Sequence, residues 1–218
     1  MKFKGIIFDL DGTLVNSLED IADSMNAVLQ KFKYPTHDVQ IYKQFVGHGI
    51  RNLIVRALPE KSRDMDNIER CQNLMIDIYR ENCLNKTRPY EGIKELLDEL
   101  VSRRIKLAVL SNKTDEFTKH IVPSLLPNWK FEAVIGLSNE AHKKPNPLIA
   151  LQISKNFNLN PDEIVYVGDS AVDMQTADNA GMYAVGVLWG FQGKDEILSN
   201  GAKELLNHPL DLLKIFEH

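Results

Sequence analysis

Residues 4–14 read KGIIFDLDGTL. An apolar run climbs to Phe8 and stops at Asp9-Leu10-Asp11-Gly12, two carboxylates one residue apart followed by a glycine. A short continuous apolar run suits a strand buried on both faces, the habit of parallel sheets. Comparable runs recur at Ile105–Leu110, Glu132–Ile135, Glu163–Val167 and Tyr183–Leu188, each leading to a polar or glycine-containing tip. Helical patterns lie between most of them. Ile93, Leu96, Leu97, Leu100 and Val101 follow one helix face, and Leu148, Leu151 and Phe157 do so more loosely after Pro147. Alternating strands and helices predict an α/β fold, a doubly wound parallel-sheet (Rossmann-like) core with ligands at the carboxyl ends of the strands.

The alternation breaks once. From Val15 to Thr87 the pattern is helical throughout. Ser17 with Asp20 reads as a capping box with Asp in place of Glu, ahead of an apolar face of Leu18, Ile21, Met25, Val28, Leu29 and Phe32. Thr36 is the expected cap of a second helix carrying Val39, Tyr42, Phe45 and Val46. Ile50–Leu58 and Ile68–Tyr79 continue the series, so about four helices are expected. The expected division is a catalytic core of residues 1–14 and 88–218 and an inserted α-helical cap domain of residues 15–87.

The 218 residues are 44% hydrophobic and 26% charged, with a formal net charge of −4. That balance gives no reason to expect nucleic acid or an anionic membrane as partner, so an anionic ligand needs a local cationic site. The apolar run at the amino end stops at Asp9, too early for a signal peptide, and no stretch approaches the ~20 apolar residues of a membrane span. Cys71 and Cys83 lack the spacing of a zinc site or a disulfide framework, so they are expected as reduced packing residues. A cytoplasmic protein is the resulting expectation.

Each strand tip has an ordinary reading by itself. Asp9–Gly12 suits a turn, Ser111-Asn112 a cap for a helix beginning at Lys113, Lys143-Lys144-Pro145-Asn146-Pro147 a basic loop, and Gly168-Asp169-Ser170-Ala171-Val172-Asp173 a cap with an exposed acid. A parallel sheet would bring all four to one edge, gathering Asp9, Asp11, Ser111, Lys144, Asp169 and Asp173. Crowded carboxylates repel unless a cation sits among them, and hard carboxylate oxygens suit Mg²⁺. The lysine and hydroxyl then suit a phosphoryl group beside that metal.

These motifs, in this order, resemble the haloacid dehalogenase superfamily, in its phosphoglycolate-phosphatase-like branch. DxDGT, the Ser-Asn strand end, Lys-Pro-x-Pro and GDxxxD are all present, the helical insertion resembles that family's helical cap, and Val187–Pro209 is similar to the same branch. The resemblance implies a Mg²⁺-dependent hydrolase of a small phosphorylated metabolite, 2-phosphoglycolate foremost, acting through an aspartyl-phosphate. It implies Asp9 as nucleophile and Asp11 as general acid and base. Metal would be held by Asp9, the Asp11 carbonyl and Asp169, with Asp173 orienting metal-bound water and the lysine. Ser111, with Asn112 beside it, and Lys144 would receive the phosphoryl oxygens, Lys144 being preferred to Lys143 because it directly precedes Pro145.

Substrate choice is expected in the cap. Gly47-His48-Gly49-Ile50-Arg51 is a glycine-flanked loop opening a helix, and its amides and Arg51 are placed to hold a carboxylate or second phosphate, the alternative being a plain turn with a solvated arginine. Trp189 and Phe191 read as packing residues. Pyrophosphate, sugar-phosphate and nucleotide phosphatases and phosphomutases share the core motifs and stay open as alternatives. A phosphate-receiving signalling domain is the non-enzymatic rival, but there the phosphorylated Asp follows the acidic pair on a later strand, whereas here Asp9 opens it. Dehalogenases lack the second acid that Asp11 supplies.

Overall fold

β1 (Gly5–Phe8) is the strand that the opening run predicts, and all four of its residues are buried. Its side chains alternate between two apolar clusters, Ile6 and Phe8 in one and Ile7 in the other. With both faces covered, the run needs no polar alternation. The computed structural model describes residues 2–217. After β1 come β2 (Val15–Asn16), α1 (Leu18–Lys31), α2 (Gly49–Ala57), α3 (Met65–Asn82) and β3 (Arg88–Pro89). β2 and β3 pair antiparallel, so the chain leaves the sheet and returns to it side by side. The rest alternates as α4 (Ile93–Ser102), β4 (Lys106–Thr114), α5 (Asp115–Leu125), β5 (Ala133–Leu137), α6 (Leu148–Phe157), β6 (Ile164–Gly168), α7 (Ala171–Ala180), β7 (Tyr183–Val187), α8 (Lys194–Ser199) and β8 (Glu204–Leu206).

The main sheet has the order β5-β4-β1-β6-β7-β8. All of its pairings are parallel. From β1 the chain builds outward through β4 and β5, then crosses back to build β6, β7 and β8 on the other side. Where the winding reverses, the connections leaving β4 and β6 diverge, and a crevice opens at the carboxyl ends of β4, β1 and β6. This is the expected doubly wound α/β architecture. One apolar cluster continues from the sheet through Leu97 of α4 and Ile121 of α5 into Met25, Ile54 and Met75 of the inserted helices. Among the described residues no helix is long and apolar enough to cross a membrane.

Several local expectations give way to tertiary contacts. The insertion contains three α-helices, and the segment expected as a fourth is a 3-10 helix, Val39–Gln44, capped by Asp38 rather than Thr36. Ser17 and Asp20 form no capping box. The Ser17 hydroxyl donates to Asp11 instead. The buried Asp20 carboxylate accepts from the Lys86 amide, the Thr87 amide and the Thr87 hydroxyl at 2.7–3.0 Å, pinning the end of the insertion to its beginning. Three donors fixed by the fold outweigh one local cap. α5 starts at Asp115 rather than Lys113, because β4 runs on through Thr114. Val101, in the last turn of α4, is 47% exposed because Ile93, Leu96, Leu97 and Leu100 already complete the buried stripe. In α6 the buried face is Ala150, Ile153 and Phe157, while Leu148 is exposed. β8 was not expected; three residues are too few to carry a periodic signal. Cys71 and Cys83 are buried and free, as expected.

Candidate active site

Asp9 extends β1 by one residue, its amide donating to Val167 O at 2.9 Å. The chain then folds back tightly, the Thr13, Leu14 and Val15 amides all converging on Leu10 O at 3.0–3.3 Å. Gly12 makes this turn possible twice over. Its φ is +85°, a region costly for a residue with a Cβ, and a Cβ there would lie 2.2 Å from Asp169 Oδ2. The turn therefore holds the Asp9–Asp11 segment against the end of β6.

Lys144 sits at the centre. It is 4% exposed, and its ammonium donates to Asp9 Oδ1 at 2.8 Å, Asp173 Oδ1 at 2.6 Å and Leu110 O at 3.1 Å. Its backbone is fixed by Asn112, whose amide oxygen accepts from the Lys144 N–H at 2.9 Å and whose amide nitrogen donates to Lys144 O at 3.2 Å. Lys143 turns outward to Glu140. Asp173 is also held by Ser170, whose amide and hydroxyl both donate to Oδ2. Ser111 is 4% exposed beside these groups. Asp9, Asp169 and Asp173 each bring a carboxylate oxygen within 4.8 Å of the others.

One lysine cannot balance three buried carboxylates. Burial, opposed by Lys144 and reinforced by Asp173, raises the Asp9 carboxyl from 3.8 to about 6. Burial, then Asp173 and Asp9, hold the Asp169 carboxyl well above its ordinary value. For Lys144, burial alone would push the ammonium down, but Asp173 and Asp9 override it and hold it well above its ordinary value. Asp169 Oδ2 accepts from the Phe191 amide at 2.7 Å, while its other oxygen has no donor among the described residues. Spare, hard, crowded oxygens carrying excess negative charge fit a divalent cation.

Asp11 faces another way. Its carboxylate accepts from Ser17 Oγ and receives Lys113 Nζ at 3.1 Å on both oxygens. Lys113 also donates to Tyr79 Oη at 2.8 Å. Asp11, Lys113 and Tyr79 line a cavity of about 80 Å³ between the sheet edge and the inserted helices. Its walls include Asp9, Asp11, Ser111, Asn112, Lys144 and Asp169 from the sheet side and Gly47 and Gly49 from the insertion. Asn112 ties the two sides together by donating to Gly47 O at 3.1 Å. His48 and Arg51 do not line the cavity. His48 precedes α2, its imidazole held below the usual range by burial, Arg56 and Lys143. Arg51 reaches the Sδ of Met65 on the insertion itself.

Sequence reasoning missed Lys113, Tyr79, Ser17 and the Phe191 amide. For Lys113 a signal existed. It stands two residues beyond Ser111 near the end of β4, the same spacing that separates Asp11 from Asp9. For Tyr79 and Phe191 no local signal exists, because their roles depend on contacts across the fold. Phe191 packs against the core as expected, but it also lines the cavity.

Comparison with known proteins agrees with this geometry. The model of the family described as haloacid dehalogenase-like hydrolase matches residues 6–187. A phosphoglycolate phosphatase of Mannheimia succiniciproducens is 33% identical, over 98% of this chain and 98% of its own length. One from Aquifex aeolicus is 30% identical, over 98% and 96%. The crystal structure of a predicted phosphoglycolate phosphatase from Haemophilus somnus 129PT superposes with a TM-score of 0.91 at 31% identity, covering 100% of this chain and 99% of that one. A match spanning every strand-end motif, with relatives alike from end to end, means that this chain belongs to the haloacid dehalogenase-like hydrolases.

Proposed function

We propose that the protein is a Mg²⁺-dependent phosphoric monoester hydrolase that cleaves 2-phosphoglycolate to glycolate and phosphate. Residues 15–87 would serve as its cap domain, and residues 1–14 and 88–218 as its catalytic core. The observation that carries the reading is Lys144 bridging Asp9 and Asp173 at 2.8 and 2.6 Å, with Asp169 within reach of both acids. Asp9 is the nucleophile. Its carboxylate oxygen bonds to phosphorus as the ester P–O bond breaks, leaving an aspartyl-phosphate on Asp9. Asp11 gives a proton to the departing alkoxide, then takes one from the water that attacks the phosphorus of the intermediate. That second displacement releases phosphate and restores the Asp9 carboxylate. Lys144 and Ser111 hold the phosphoryl oxygens. Asn112 positions Lys144 through its backbone, and Asp173 holds the ammonium toward Asp9.

The residues that would hold Mg²⁺ are Asp9, Asp169 and the Asp11 carbonyl, with Asp173 beside them. When bound, the ion supplies charge neutralisation that lets a carboxylate approach an anionic phosphate. The name of the relatives, their end-to-end likeness and the small cavity support 2-phosphoglycolate as substrate. The test is phosphate release from a panel holding 2-phosphoglycolate, pyrophosphate, sugar phosphates and nucleotides, with and without Mg²⁺. The expected result is the highest kcat/KM on 2-phosphoglycolate and none without metal. Full turnover in excess chelator would sink the mechanism, and preference for another member of the panel would reassign the substrate.

A further inference from the structure

Two features of the cavity are unused by the chemistry above. The first is charge. Among the residues lining it, Lys113 and Lys144 are the cations; Lys144 is committed to Asp9, Asp173 and Leu110 O, whereas Lys113 is paired with Asp11 and takes no part in holding the phosphoryl group. The second is a proton. The Tyr79 hydroxyl, on a residue 3% exposed, accepts from Lys113, and no acceptor for its own proton exists among the described residues. A buried hydroxyl proton without a partner is costly, and a ligand oxygen would relieve it. Much of the remaining wall is apolar, with Ile21, Val46, Ile50, Leu53, Met75 and Phe117.

We propose that Lys113 and Tyr79 form the subsite that takes the substrate's carboxylate, rather than Arg51 of the cap loop. This rests on the phosphatase reading and deepens it. Lys113 comes from β4, two residues past Ser111, and Tyr79 from α3, so the carboxylate would be held jointly by the sheet edge and the insertion. Lys113 Nζ brings positive charge and Tyr79 Oη a donor to one place, a pairing that suits an anionic oxygen group and discriminates against neutral leaving alcohols. Asp11 shares the same ammonium, which places the carboxylate subsite next to the group that protonates the leaving oxygen.

The test compares 2-phosphoglycolate with ethyl phosphate, an alkyl ester in which a methyl group stands in place of the carboxylate. Lys113→Met should lower kcat/KM for both, because Lys113 also touches Asp11, but the loss on 2-phosphoglycolate should exceed that on ethyl phosphate by about 10- to 100-fold, the range for a charge-assisted contact. Tyr79→Phe, which keeps size and shape, should narrow the preference by about 2- to 10-fold, mainly through KM. Lys113→Arg should keep part of the preference that Lys113→Met loses. In the Asp9→Asn background, where no turnover competes, the Kd for 2-phosphoglycolate should rise on adding Lys113→Met far more than the Kd for ethyl phosphate. Equal losses on both substrates, in rate and in Kd, would overturn the subsite and leave Lys113 as a positioning residue for Asp11. A wild type that binds 2-phosphoglycolate through Lys113 but hydrolyses neither ester would overturn the phosphatase reading and leave the subsite standing.

Discussion

Replacing Asp9 should make the metal-free protein more stable. Asp9 is 7% exposed, and burial with Asp173 nearby raises its carboxyl from 3.8 to about 6 despite Lys144. A carboxyl whose folded pKa lies above its unfolded value adds stability below about pH 4 and loses it as the pH rises through 6. Above that range the ionised side chain is a net burden on the folded state. At roughly 1.4 kcal/mol for each tenfold change in the protonation equilibrium, the rise from 3.8 to about 6 corresponds to about 3 kcal/mol at pH 8. At pH 5 about half of that remains. Asp9→Asn removes the charge, and its amide oxygen can still accept from Lys144. In chelator at pH 8 the variant should therefore melt about 6–12 °C above wild type, since ~1 kcal/mol moves Tm by about 2–4 °C at this size. The gain should shrink by about half at pH 5. Saturating Mg²⁺ should raise the wild-type Tm and close much of the gap, because the cation offsets the repulsion the variant has removed. An Asp9→Asn protein no more stable than wild type at pH 8, or equally stabilised at both pH values, would refute the claim that this carboxylate is buried against its own charge.

Other perturbations follow from the same contacts. Asp20→Ala leaves the Lys86 and Thr87 amides and the Thr87 hydroxyl without their acceptor, so urea unfolding should show a loss of about 2–4 kcal/mol, with Asp20→Asn in between; an unchanged midpoint would mean that the clasp contributes nothing. Gly12→Ala places a Cβ on a left-handed backbone against Asp169, so it should lower stability by at least about 1–2 kcal/mol and raise the Mg²⁺ concentration needed for half-maximal activity; wild-type values for both would contradict the close packing. Asp9→Ala should abolish turnover of every substrate. Asp11→Asn should give a burst near one product per site with nitrophenyl phosphate, whose leaving group needs little protonation, and then turn over about 10²–10⁴-fold slower. Wild-type rates on both nitrophenyl phosphate and 2-phosphoglycolate would rule out the acid and base role proposed for Asp11.

Residues 4–14 by themselves announce the architecture, because a strand buried on both faces must be apolar throughout and a carboxylate pair at its end has no place in a core. The other strand tips follow by the same logic. Each is a few residues long, and a parallel sheet places all of them at one edge, so Asp9, Ser111, Lys144, Asp169 and Asp173 meet without any long-range contact having to be guessed. What fills the space above that edge was not legible in this way. Arg51 has the right charge in a plausible loop, yet the path of α2 carries it to Met65, while Lys113, which reads like the start of a helix, lies near the end of β4 and lines the cavity beside Tyr79, a residue 34 positions earlier in the chain. Ser17 and Asp20 read as a helix cap and serve as tertiary partners instead. Strand period and turn chemistry are set by neighbours within a few residues and can be read along the chain. The direction of a long cationic side chain, or the choice between a local cap and a distant donor, is settled only by which groups the fold brings within about 3 Å of it.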